Sequence, residues 1–290
     1  MKIFLIGKDG QIGRELEKQA IKLGHKIDAY GHNDLDITQR ELLKEKISYS
    51  APDVVINTAA YHVVPECEKF PEIAFHVNAA AVKDIADVCK AVNAKFVHFS
   101  TDKVFDGFSN DPYKEDDRPN PVQIYGISKL ASEYIALSYN PNTIIIRTNG
   151  VYGGMSGSKS KGGNFVLYIL NQAKEKKEIE ISSDQKANLA YAADLAEGTL
   201  KLLAKDAPVD IYHLINEGYA SWADFAQEIV ERAHLNMKII PVDRKGYFNG
   251  VRIPQFNVMD NKKAKSLGVV LPDWKDALAR YITLLKKKHE

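Results

Sequence analysis

The sequence is poor in the features that mark several large classes of protein. Only Cys67 and Cys89 occur in 290 residues, and they form neither a CxxC pair nor part of a metal-ligand cluster. That excludes a disulfide-rich scaffold and predicts a reducing, cytoplasmic setting in which both thiols pack as small apolar groups. Charge of one sign is also missing: 39 Lys and Arg stand against 38 Asp and Glu, a formal net charge of +1. A nucleic acid or a membrane surface would call for a basic bias, so neither is expected as a partner. No apolar run approaches the ~20 residues of a membrane span. The opening "MKIFLIG" lacks the apolar length of a signal peptide and reads as a strand. The eight histidines show no HxxxH or other ligand spacing, so no metal is expected.

What is present is a globular balance, 45% hydrophobic and 27% charged, with enough apolar residues for a sizeable core. Short β-rich runs at 2–6, 26–30, 53–57, 95–100 and 143–148 alternate with helical patterns at 12–23, 38–48, 72–93 and 122–138. Thr38 and Glu41 read as a capping box for the second helix. Continuously apolar strands separated by helices predict a Rossmann-like, doubly wound parallel α/β sheet over residues 1–150. From 151 to 290 the rhythm changes, and a smaller substrate-binding lobe is expected. It carries helices at 165–177, 193–204, 221–234 and 273–287, short strands at 211–216 and 238–242, and segments near 189–217 that return to the sheet. The Gly/Ser/Lys-rich run 153–164 reads as a mobile loop. Its Lys159 and Lys161 read as solvated, with a diphosphate as the alternative.

Four stretches carry chemistry. "GKDGQIG" sets Gly7, Gly10 and Gly13 between the first strand and the first helix. Glycine there permits a tight turn and close backbone approach to a pyrophosphate at the helix N-terminus. At the end of the second strand, "AYGHND", Tyr30 and Gly31 stand where an acid might sit, His32 could tolerate a 2′-phosphate and no arginine is present, so NAD and NADP both stay open. In "FSTDKVF", Ser100 and Thr101 fall at the carboxyl end of the fourth strand, where open α/β sheets bind ligands. In "QIYGISK", Tyr125 and Lys129 are four apart and share a helix face. A nearby ammonium would lower the tyrosine pKa towards the range useful in proton transfer. Ile124, Ile127, Leu130, Ala131 and Tyr134 read as the buried side of that helix. "NTAAY", with Asn57, Ala59 and Ala60, places small residues at the end of the third strand, where a flat cofactor can lie close to the backbone.

Together with "PDVVINTAAY", "YHLINEGYASWADFA" and "LPDWKDALARYI", these stretches resemble the extended short-chain dehydrogenase/reductase family, and within it the dTDP-4-dehydrorhamnose reductase branch. The resemblance covers essentially the whole chain. It implies an NAD(P)H-dependent reductase of a keto-sugar nucleotide, with Tyr125 as general acid. Lys129 would bind the cofactor ribose and tune the tyrosine, Thr101 would orient the carbonyl, and Asp102 would hold the sugar. It further implies that Gly10, Gln11 and Ile12 meet the pyrophosphate, Asp36 and Ile37 the adenine side, and Ala60, Tyr61 and His62 the nicotinamide half. Asn78 either steadies the site or is a helix-surface amide. Glu15 aligns with a glutamate that bridges dimers in some relatives, so a homodimer is allowed, although a solvated carboxylate is the expectation.

Several substrate-facing positions depart from that branch. Gly150 stands where a tryptophan is usual, Val64-Pro65 replaces valine-aspartate, and Lys103 replaces tyrosine. "DQKANLA" replaces DQxGxPT, and Ile253-Pro254 replaces arginine-proline, with Arg252 adjacent. Two other readings therefore remain: an epimerase or dehydratase with tightly held NAD, and a non-catalytic NADP-binding subunit like the β subunit of methionine adenosyltransferase.

Overall fold

The computed structural model describes residues 1–154 and 163–287, so Lys159, Lys161 and most of the expected 153–164 loop lie outside the described residues. The first half supplies strands β1 (Lys2–Ile6), β2 (Lys26–Tyr30), β3 (Val54–Asn57), β4 (Lys95–Thr101) and β5 (Thr143–Thr148). The second half adds β6 (Glu178–Ser182), β7 (Lys186–Ala187), β8 (Ile211–His213), β9 (Ala220–Ser221), β10 (Lys238–Val242), β11 (Tyr247–Phe248), β12 (Val251–Arg252) and β13 (Phe256–Asn257). Six strands form one sheet in the order β2-β1-β3-β4-β5-β8, every pair parallel. The chain is a doubly wound α/β protein.

Side chains alternate across the sheet, and each face buries its own core. Ile3, Leu5, Val54, Ile56, Val97 and Ile146 face Leu16 of α1 (Gln11–Lys22). Leu195 and Leu200 of a later helix complete that layer. Phe4, Ile6, Val55, Phe96 and Ile145 face the opposite way, onto Leu43 and Ile47 of α2 (Arg40–Ser50) and further helices. Two short helices follow β3, α3 (Val64–Lys69) and α4 (Pro71–Phe75), and then α5 (Ala81–Ala91), which supplies Val82 and Ile85 to the second face. Of the catalytic candidates, Tyr125 and Lys129 lie on α6 (Ile124–Tyr139) and Thr101 ends β4. A separate cluster gathers around Tyr152, Phe225 and Tyr281, between α7 (Phe165–Glu175), α9 (Trp222–Ala233) and α11 (Trp274–Lys287). Between these lie α8 (Ala192–Ala204), which carries Leu195 and Leu200 back to the sheet, and α10 (Lys262–Ser266).

Four local expectations fail. Thr38 does not cap α2: its N–H and hydroxyl both bond the Asp36 carboxylate, and the helix begins two residues later. The expected helix 72–93 is interrupted by a π-turn, His76–Ala80. Glu15 is only 8% exposed rather than solvated. Most consequentially, α6 packs with its polar side inward. Ser128, Lys129, Ser132 and Glu133 are buried, whereas Ile127 and Tyr134 are exposed. The physical reason is a set of cross-sheet partners. Arg147 of β5 donates from Nε and Nη2 to the two oxygens of Glu133 at 2.9 and 2.7 Å, and Ser100 of β4 donates to the same carboxylate.

Both members of that ion pair are about 1% exposed. Removing one charge strands the other in a dry interior, which costs about 3–5 kcal/mol. Glu133→Gln is therefore expected to lower unfolding stability by about that amount in urea denaturation. A loss of less than about 1 kcal/mol, the scale of an exposed pair, would show that this contact does not anchor the helix.

Candidate active site

The sheet order reverses at β1, which pairs with β2 on one side and β3 on the other. Ligands of doubly wound folds bind at the carboxyl ends of strands beside such a reversal. Gly7 turns there at φ +90°, its N–H bonding Tyr30 O at 2.9 Å. Helix α1 then starts so close to the turn that a Cβ on Gly13 would lie 2.1 Å from Gly7 O. Gly10 meets no such obstacle among the described residues, its closest contact being 3.3 Å. The first-turn N–H groups of Gln11, Ile12 and Gly13 have no carbonyl a turn below them, as at any helix start. Gln11 Oε1 is buried without a partner among the described residues. Thr58, a residue the sequence pattern did not single out, donates to Ile6 O at 2.9 Å and so ties β3 to this turn. The cradle fits a dinucleotide phosphate, which would meet Gly10, Gln11, Ile12 and Gly13.

At the end of β2 the space above Gly31 is filled from the glycine turn. A Cβ on Gly31 would lie 1.8 Å from the Asp9 carboxylate, and Lys8 forms an ion pair with Asp34 at 2.7 Å. Both signs of charge thus stand at the carboxyl end of β2. Asp36 is turned towards Thr38 and Ile37 is buried.

The wall after β3 is held by Asn78. It is 2% exposed, which rules out the helix-surface reading. Its Oδ1 accepts from Tyr61 N at 2.8 Å, and its Nδ2 donates to Tyr61 O at 2.9 Å and to Ser128 Oγ at 3.0 Å. The π-turn aims this amide inward; such bulges re-aim single side chains inside otherwise regular helices. One side chain therefore sets the backbone of Tyr61, between Ala60 and His62, against the helix carrying Tyr125. Ala59, Ala60 and Tyr61 are half-buried and His62 is exposed, forming an open rim. Glu68 of α3 accepts from Ile124 N at 2.7 Å, capping α6 from outside.

Thr101 and Tyr125 meet at the carboxyl end of β4, and Lys129 lies one turn further along α6, against His98 of the same strand. Thr101 donates to Asp102 Oδ1 at 2.9 Å. Burial first, and then the Asp102 carboxylate, push the Tyr125 phenol above its ordinary range, while a hydrogen bond with Thr101 opposes them. Lys129 is 1% exposed. Burial lowers its amine to about 7, with Glu133 pulling the other way. Its nitrogen lies 3.0 Å from His98 Nε2, and no influence of the amine on Tyr125 is resolved. The expected lowering of the tyrosine pKa by an adjacent ammonium is thus reversed here, because burial dominates both groups.

The opposite wall belongs to the second half of the chain. Asp102 accepts from Lys103 Nζ at 2.7 Å and from Asn257 Nδ2 at 2.5 Å. Asn149 donates to Asn257 O at 3.1 Å. Gly150 adopts φ +52°, and a Cβ there would lie 2.6 Å from Asn188 O. Asn188 in turn accepts from Met259 N and donates to Gly218 O. Lys103, Asn188 and Asn257 thus share one wall, and only the first had been singled out as unusual. Among the described residues, no group of acidic, histidine or cysteine side chains could hold a metal ion.

Comparison with known proteins agrees with this geometry. The model of the RmlD substrate binding domain family matches residues 1–287. The spore coat polysaccharide biosynthesis protein SpsK of Bacillus subtilis is 35% identical over 97% of this chain and 96% of its own length. The structure of a dTDP-4-dehydrorhamnose reductase ortholog from Clostridium acetobutylicum superposes with a TM-score of 0.93 at 33% identity, over 99% of this chain and 100% of that one. That of the Bacillus anthracis dTDP-4-dehydrorhamnose reductase, in complex with NADP, gives a TM-score of 0.91 at 29% identity, over 97% and 98% of the two chains. The chain belongs to the RmlD substrate binding domain family, among the relatives of dTDP-4-dehydrorhamnose reductase.

Proposed function

We propose that this protein reduces the keto group of a dTDP-linked 4-keto sugar, using NADPH or NADH, with Tyr125 as the proton donor. Membership of the family makes it an NAD(P)-dependent oxidoreductase. What supports the finer reading is the contact of Thr101 with Tyr125 at the carboxyl end of β4, with Lys129 one turn further along the same helix. When bound, the reduced nicotinamide supplies a hydride to the carbonyl carbon. The carbonyl oxygen then becomes an alkoxide, a stronger base than a phenolate. A phenol held protonated by burial can therefore still give up its proton to it. Thr101 orients that oxygen, Asp102 holds the sugar, and Lys129 holds the cofactor ribose. Asn78 fixes the Tyr61 backbone that lines the nicotinamide half.

The substrate wall narrows the choice of chemistry. Dehydratases place a second carboxylate beside the threonine, whereas here Asp102 is followed by Lys103 and paired with it. That favours a simple reduction, in which cofactor is consumed stoichiometrically.

With dTDP-4-dehydrorhamnose as substrate, Tyr125→Phe is expected to lower kcat by about 10²–10⁴-fold, the usual scale of general-acid catalysis. The NADPH dissociation constant, followed by nucleotide fluorescence, should change little. Normal turnover by this variant would remove Tyr125 from the mechanism. Oxidised cofactor regenerated in each cycle would point to an epimerase instead. A second prediction concerns the missing tryptophan. Because Gly150 is left-handed and faces Asn188 O, Gly150→Ala is expected to cost about 1–3 kcal/mol, read as a lower Tm. An unchanged Tm would mean that this wall yields to a side chain.

A further inference from the structure

In many doubly wound folds an acidic residue at the end of the second strand grips the adenosine ribose. Here β2 ends at Tyr30, and Gly31 brings no side chain to that place. The glycine turn fills it instead. The N–H groups of Gly7 and Lys8 both donate to Tyr30 O, at 2.9 and 3.1 Å, which ties the turn to the strand end. Residue 9 therefore lies over residue 31, and a Cβ on Gly31 would strike Asp9 Oδ2 at 1.8 Å. Arg14 of α1 donates from Nε to Asp9 O at 3.0 Å, so it fixes the backbone there and not the carboxylate. Asp9 itself is exposed.

The cations nearby are taken up by other groups. Lys8 pairs with Asp34 at 2.7 Å. The hydrogen bond with Asp34 first, and the charge of Asp9 to a smaller degree, hold the Lys8 ammonium above its ordinary range. Asp34 also accepts from Gly31 N at 3.1 Å. Lys46 of α2 lies over the Tyr30 ring, 4.8 Å from its centre. Among the described residues no cation forms an ion pair with the Asp9 carboxylate. We propose that Asp9 selects the cofactor: standing in for the missing strand-end acid, it accepts from the 2′-hydroxyl of the adenosine ribose and repels a 2′-phosphate, so that NADH binds in preference to NADPH.

The chemistry of the two ligands differs at this one position. A ribose hydroxyl donates to a carboxylate, whereas a phosphate ester at neutral pH offers acceptors and about two negative charges. Lys8 could turn to such a phosphate only by leaving Asp34, which would set a second bare carboxylate beside it. Either arrangement leaves one acidic group unmatched against the phosphate. The proposal rests on the reading that the dinucleotide lies in the glycine cradle, with its adenosine ribose at the carboxyl end of β2 as doubly wound folds place it. It does not depend on Tyr125 or on turnover.

Nicotinamide fluorescence gives both dissociation constants on the whole protein. NADH is expected to bind about tenfold more tightly than NADPH, or better. Asp9→Asn keeps the shape and an acceptor but removes the charge. It should tighten NADPH by about tenfold and weaken NADH only slightly. Salt reports the sign independently, because the ratio of the NADPH to the NADH constant isolates the 2′-phosphate. Screening a repulsion brings that ratio down towards one, whereas screening an attraction to Lys8 would raise it. NADPH binding as tightly as NADH, a ratio that rises with salt, or a ratio unchanged in Asp9→Asn would each overturn the proposal. Binding of neither nucleotide would remove the cradle reading itself, and the proposal with it. Should Asp9→Asn fail to fold, the salt dependence of the unsubstituted protein decides.

Discussion

The active-site half of the fold depends on one buried ion pair, Glu133 with Arg147. Without it α6 would have every reason to roll its isoleucines towards the sheet and its serines, lysine and glutamate towards water. The bidentate contact fixes the opposite rotation, since neither charge could remain in the interior alone. Ser100, bonded to the same carboxylate, brings β4 into the arrangement. Strands β4 and β5 thus hold the rotation of the helix directly, and that rotation brings Tyr125 to Thr101 and Lys129 to His98. The positions of two chemical groups are consequences of a charge pair that touches neither substrate nor cofactor.

That dependence also explains which parts of the molecule were legible in the sequence. The strands were readable because a sheet covered on both faces must be apolar along its whole length. The glycine turn was readable because the steric demand at Gly7 and Gly13 is local to a dozen residues. The inward face of α6 was misread because periodicity reports where apolar residues recur, and says nothing of a polar face satisfied by a distant strand. Arg147 is only 14 positions from Glu133, but the pairing exists only once β5 lies beside β4. Asn78 was ambiguous for the same reason: its clamp on Tyr61 needs a π-turn, which leaves no periodic trace. Thr58 and His98 carried no signal at all, each being one polar residue inside a strand or at its end.

The two walls of the cleft differ in how their departures from the family pattern arise. On the cofactor side the structural demands are met by backbone: a turn, a helix start, and two carbonyls tied by Thr58. On the substrate side the departures compensate one another. The absence of a side chain at Gly150 lets Asn188 O approach, and Asn188 then fixes Met259 N, two residues beyond Asn257. Asn257 joins Lys103 on Asp102. Restoring a tryptophan at position 150 alone would collide with this set, so these positions are coupled and have to be changed together.

The same coupling bears on how the site handles charge. Two basic groups, Lys129 and His98, lie in contact with almost no access to water. They cannot both be cations, because the repulsion between two such charges at 3 Å would find no solvent to screen it. Burial disfavours the charged form of both, and the imidazole, with an ordinary range below that of an amine, is the one that stays neutral throughout. Lysine is then left as the group whose charge can change near neutrality. Asn57, whose amide meets the imidazole at Nδ1, reaches that lysine only through His98.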